Sequence, residues 1–90
     1  MVARYILTDY VASAMANAVF ERLDDGSYGG RIPDCTGVVA FGESRDACEH
    51  ELRSVLEDWI LVGLKLGHRL PLIAGIDLNG APAYEPVDAL

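Results

Sequence analysis

Cysteine is scarce in this chain: Cys35 and Cys48 are the two in ninety residues. Two thiols cannot build the disulfide framework of a small secreted domain, and free, buried thiols are favoured over a single bridge between the turn and the helix start. Histidine is limited to His50 and His68. His50 follows Cys48 by two residues, which puts them on different faces of a helix, and no close-set pair of the zinc-finger kind exists. No metal site and no cofactor are therefore expected, and a Cys/His nucleophilic pair lacks any group to orient the imidazole. Cations are few as well. Arg4, Arg22, Arg31, Arg45, Arg53, Lys65 and Arg69 are scattered among fourteen acids, and the formal net charge is -7. Without a basic stripe interleaved with aromatics, a phosphate backbone is not the expected main partner. There is no long hydrophobic run: the longest, Trp59 to Leu64, is far too short to span a bilayer. The first residues lack the basic, apolar and small-residue succession of a signal peptide, and a cytoplasmic location is expected. The pair Gly29-Gly30 stands outside any GxGxxG or GxxxxGK[ST] frame and is no phosphate cradle.

What is present is a core. Hydrophobic residues make up 51% of the chain, enough for one domain over residues 1–90. A chain this short buries a modest share of its surface, so assembly into a homodimer or higher oligomer is expected. The stretch Asp24 to Ser44 organises the rest. Asp25-Gly26 is a hairpin signal, since Gly accepts the positive φ of a two-residue turn. Ahead of it, Ala18 to Leu23 reads as a strand with Val19, Glu21 and Leu23 on one face and Phe20 and Arg22 on the other. After it, Ser27 to Ile32 reads as a second strand, where Gly29 and Gly30 imply a bulge or a close approach of another backbone. Pro33 ends that strand for want of an N–H. Asp34-Cys35-Thr36-Gly37 turns the chain, and Val38 to Phe41 forms a third strand. Ser44 is placed to N-cap a helix.

The long helix is the clearest element. Cys48, Leu52, Val55, Leu56, Trp59, Ile60 and Gly63 recur at three- and four-residue steps, with Glu49, Glu51, Arg53, Glu57 and Asp58 on the other faces. Glu49 and Arg53 stand in the favourable order for an i,i+4 ion pair. Lys65 suits the C-terminal dipole, and Gly67 is the expected C′ residue. Beyond Asp58 this helix is apolar nearly all round, which calls for a second cover: Trp59, Leu61, Val62 and Leu66 are the expected oligomer interface. Trp59 lies on the apolar stripe, so packing is favoured over ligand stacking. Earlier, Leu7, Tyr10, Val11, Ala14, Met15 and Ala18 recur at helical spacings and give an amphipathic N-terminal helix over about residues 7–16, its small residues letting it lie close on a sheet. Later, Leu70 to Ile76 reads as a C-terminal edge strand with Pro71 at its start. Asn79-Gly80 is a turn signal, and about residues 77–90 read as a tail or exchanged arm.

No catalytic residue emerges. Asp24 and Asp25 are ordinary turn residues, and Glu49, Glu57 and Asp58 fit a solvated helix face. An RNase H-type nuclease needs clustered carboxylates to hold metal ions, and none are visible.

Several residues in order resemble the HicB-like antitoxin family. They are Asp25-Gly26, Tyr28, Ile32-Pro33, Gly37-Val38, Gly42-Glu43-Ser44, the helix through Trp59, Gly67 and Leu70-Pro71, covering about residues 18–73. The resemblance implies a β-β-β-α-β domain of partial RNase H-like fold that binds a small basic ribonuclease of the HicA type and blocks its active site. Such antitoxins often add a C-terminal DNA-binding module, which is not expected within these ninety residues, where an N-terminal helix is expected instead. The expected fold is thus α+β: a three-stranded antiparallel meander packed on a long helix, in the order α-β-β-β-α-β. The expected function is protein binding, not catalysis, with Tyr28, Arg31 and Asp34 as the partner-facing residues. The alternatives are a stand-alone oligomeric domain and, less favoured, an RNA-binding domain, since α-β-β-β-α also resembles a double-stranded RNA-binding fold.

Overall fold

A computed structural model describes residues 2–78, with side chains from residue 7 onward. The order is α1 (Val2–Ala16), β1 (Val19–Arg22), β2 (Tyr28–Arg31), β3 (Val39–Gly42) and α2 (Arg45–Leu66). The three strands form one antiparallel sheet in chain order. The expected α+β meander is therefore present, with α1 beginning earlier than the apolar spacing alone indicates.

Local chemistry explains each boundary. The β1–β2 connection is a three-residue loop, 24–26, not the two-residue turn expected. Leu23 N–H donates to Ser27 O at 2.7 Å and Gly26 N–H to Leu23 O at 2.9 Å. Gly26 takes φ 89°, the left-handed last position that such loops require. The β2–β3 connection is two successive turns: Cys35 N–H bonds Ile32 O at 2.9 Å, and Val38 N–H bonds Cys35 O at 3.0 Å. Ile32, Cys35 and Val38 thereby recur every three residues and all turn inward, at most 2% exposed. Ser44 caps α2, its Oγ accepting from Ala47 N–H at 3.1 Å. At the other end Gly67 takes φ 75°. His68 N–H returns to Gly63 O at 2.8 Å and Gly67 N–H to Leu64 O at 3.3 Å, which is a Schellman motif.

Alternation divides the sheet into two faces. Phe20, Gly30, Ala40 and Gly42 face α2. The ladder runs residue for residue through Gly29 and Gly30, so they form no bulge and serve close approach instead. A Cβ at Gly30 would lie 2.9 Å from Phe20 and 3.1 Å from Cys48 Sγ. With small residues beneath it, α2 settles onto the sheet, and Cys48 Sγ reaches Ala40 O at 3.6 Å.

The core lies between α2 and the elements around it. Leu52, Leu56 and Ile60 of α2 meet Tyr10, Val11, Ala14 and Met15 of α1, the inward turn residues, and Leu70, Ile73 and Leu78. Each such side chain contributes about 1.5–3 kcal/mol by leaving water. α1 packs on α2, whereas the sequence placed it on a sheet.

Two further expectations are corrected. Among the described residues, the segment after α2 adds no fourth strand to the sheet. Ile73 and Ile76 bridge each other instead, closed by Ile76 N–H to Ile73 O at 2.7 Å. Ala74 (φ 50°) and Gly75 (φ 77°) both turn left-handed there, so the chain reverses where an edge strand would extend. In α2, Glu49 pairs with Arg45 at 3.0 Å instead of Arg53. The Arg45 guanidinium is seated 4.3 Å above the Phe20 ring, and that seat delivers it to Glu49. The expected tail beyond residue 78, with Asn79-Gly80, lies outside the described residues.

Candidate functional site

The face of the sheet turned away from α2 is open. Its residues form a grid fixed by the register: Arg31 lies between Val19 and Val39, and Gly29 between Glu21 and Phe41. Val19, Val39 and Phe41 are 42%, 49% and 65% exposed. Together with Leu23 they line a shallow groove of about 170 Å³. Gly29 forms its floor, and a Cβ there would lie 3.3 Å from the Phe41 ring. An antiparallel sheet can leave one face to water, but such a face is ordinarily polar. Here polar side chains are restricted to Glu21 and Arg31.

A second surface lies at one end of the molecule. Arg22, Tyr28 and Gly42 pair side by side across the three strands. The loop 24–26 and the start of α2 therefore share that end. It carries exposed Asp24, Asp25, Glu43 and Asp46, which outnumber the exposed cations Arg22 and Arg45 beside them. Hydrogen bonds from the Ser27 hydroxyl (2.6 Å) and N–H (3.0 Å) reach the Asp25 carboxylate and hold its pKa below the usual carboxylate value.

The residues singled out in the sequence are dispersed over the molecule. Tyr28, half-buried, stands at the acidic end. Arg31 is exposed on the open sheet face, and Asp34 sits in the turn beyond the far end of β2. Trp59, Leu61, Val62 and Leu66 also separate. Trp59 and Val62 line a groove of about 560 Å³ with Val55, Leu70, Asp58, His68 and Arg69. Leu61 lies on the α1 side, in a groove of about 290 Å³ with Leu7, Val11 and Ile60. Leu66 is exposed at the helix end. Val39 and Phe41 were missed as surface residues. Val38 to Phe41 is apolar at every position, so no alternation in the sequence marks which of them face outward.

The two cysteines are free and buried. Burial, and then the Asp34 charge, pushes the Cys35 thiol up to about 11, and burial raises Cys48 against the opposing pull of Arg45. Both shifts favour the neutral thiol over the nucleophilic thiolate. Among the described residues no group of three or more His, Cys, Asp or Glu is placed to hold a metal ion. No helix among them is long and apolar enough to cross a membrane.

These features define a small α+β domain: a three-stranded meander backed by one long helix, with an open apolar sheet face and an acidic end. The chain belongs to the UPF0150-like family, whose model matches residues 9–71. The match begins within α1, so part of that helix is common to the family pattern. The crystal structure of TTHA0281 from Thermus thermophilus is similar, with 40% sequence identity and a TM-score of 0.76. The likeness covers 81% of this chain and 91% of that one. Among curated proteins none matches.

Proposed function

We propose that this domain is an antitoxin-like, protein-binding module that neutralises a small basic ribonuclease of the HicA type. The acidic end carries the reading. Asp24, Asp25, Glu43 and Asp46 are exposed around the start of α2, in a chain of formal charge -7. Opposed charge of this kind steers a basic partner and raises its association rate. Tyr28 at the same end supplies an aromatic of the type that anchors protein interfaces. The order of motifs from Asp25-Gly26 to Leu70-Pro71, which resembles HicB-like antitoxins, supports the same conclusion. The domain acts by occupying its partner's surface, with no chemistry of its own.

The test is to purify the domain with a small basic protein encoded beside it and to follow RNA cleavage by that protein. Cleavage should cease at equimolar domain. Asp24→Lys with Glu43→Lys should slow association by about tenfold or more at low salt, the scale on which rim charges act. A basic neighbour whose cleavage continues unchanged at saturating domain would overturn the reading.

A further inference from the structure

We infer that the open face of the sheet is a two-fold docking surface for a second copy of this chain. The inference is independent of the antitoxin reading and concerns a different surface.

The composition of the face requires a cover. Val19, Val39 and Phe41 stand 42–65% exposed around the Gly29 recess, on a face that in an antiparallel sheet open to water is ordinarily polar. The charges select the occupant. The face carries one acid and one cation, Glu21 and Arg31, on adjacent strands. Glu21 lies opposite Gly29 and Arg31 two residues further along β2, so they are diagonal neighbours. The face is therefore close to neutral and complementary to itself. A strongly basic partner would leave Arg31 facing like charge, whereas a second copy satisfies both groups at once. In an isologous contact residue i meets j and j meets i. A two-fold axis lying between the faces that carries Glu21 of one copy onto Arg31 of the other forms two ion pairs. The same axis passes close to Phe41, bringing the two rings together beside the Gly29 recesses.

The size of the patch sets the strength. Three strands of four residues span roughly 13 Å by 14 Å. That is well under the ~800 Å² per partner of a standard interface. The dimer is accordingly weak and concentration-dependent, with Kd on the order of 10 μM or above.

Sedimentation equilibrium of the full chain, from about 5 μM to about 1 mM, tests this, with circular dichroism confirming that each variant is folded. The wild-type chain should pass from monomer to dimer. Arg31→Glu alone and Glu21→Arg alone should each weaken the dimer at least tenfold. The double variant E21R/R31E should recover it to within about threefold, and an equimolar mixture of the two single variants should give a heterodimer. Where a single variant fails to fold, its neutral counterpart, Arg31→Gln or Glu21→Gln, takes its place and should also weaken the dimer, and the double variant remains a deciding sample. A chain monomeric throughout the range would overturn the inference. So would a dimer that Arg31→Glu leaves intact while Val62→Glu or Leu66→Glu breaks it, which would place self-association on the end of α2.

Discussion

At Gly42 the sheet and α2 meet backbone to backbone. A Cβ there would lie 2.5 Å from Cys48 N and 2.8 Å from Cys48 Cα, atoms that cannot move without shifting the helix. Gly42→Ala should therefore destabilise the domain by about 2–3 kcal/mol, the upper range for overpacking, as read from urea unfolding. Gly63→Ala is the contrast. Its Cβ would meet Leu70 Cδ2 at 2.7 Å, the end of a side chain that can rotate, and the packing cost of about 1 kcal/mol is offset by a similar gain in helix propensity, leaving stability within about 0.5 kcal/mol of the parent chain. Tyr10 gives a second residue-level expectation. It is fully buried, and its hydroxyl donates to Pro71 O at 2.7 Å. Burial first, and then the negative groups Cys35, Asp34 and Asp77, pushes its pKa from 10.0 to about 12. The folded value is raised, so the stability linked to the neutral phenol is complete below pH 10 and disappears as pH rises through about 12. An ultraviolet titration should show one phenol ionising with base unfolding, absent in Tyr10→Phe. That variant should lose about 1–2 kcal/mol because the Pro71 carbonyl loses its donor. Tyr10 was legible as a stripe residue. Its partner was not, because a contact across 61 residues leaves no local pattern.

Among the elements, α2 was the most legible, and the reason is that capping is short-range chemistry. Ser44, Gly67 and the intervening apolar stripe all act within a turn of the residues they organise. Ser44→Ala should cost about 1 kcal/mol and lower the thermal midpoint. Glu49→Gln, which removes an exposed pair with Arg45, should change stability by at most about 0.5 kcal/mol. The segment after α2 was less legible. Leu70 to Ile76 has strand composition, but Ala74 and Gly75 adopt left-handed φ and fold it back as a strap that seats Leu70, Ile73 and Leu78 in the core. Gly75 was the signal for this reversal, outweighed by the Leu and Ile content around it. The face of α1 was correct in Tyr10, Val11, Ala14 and Met15, yet what it packs against was not, since periodicity identifies a buried stripe and not its cover. The candidate surfaces followed the same rule. The Val19–Glu21–Leu23 face was visible as alternation, whereas its position opposite Arg31 and Phe41 depends on a register that only pairing fixes.

For the molecule as a whole, the core is shared between segments far apart in the chain. α1 supplies Tyr10, Val11, Ala14 and Met15, and the strap supplies Leu70, Ile73 and Leu78. A chain lacking residues 1–17 should therefore lose its cooperative thermal transition in calorimetry, although the meander and α2 remain. Both thiols, at most 1% exposed, should resist alkylation at neutral pH until unfolding releases them together. The same arrangement bears on synthesis. The pieces from β1 to α2 are neighbours in sequence and can associate as they leave the ribosome. The inward face of α1, made near the beginning, lacks the strap until Pro71 has emerged. At 5–20 residues per second, the 61 residues between Tyr10 and Pro71 correspond to a delay of about 3–12 s. During that interval the apolar face of α1 lacks the strap residues that complete its cover in the folded domain.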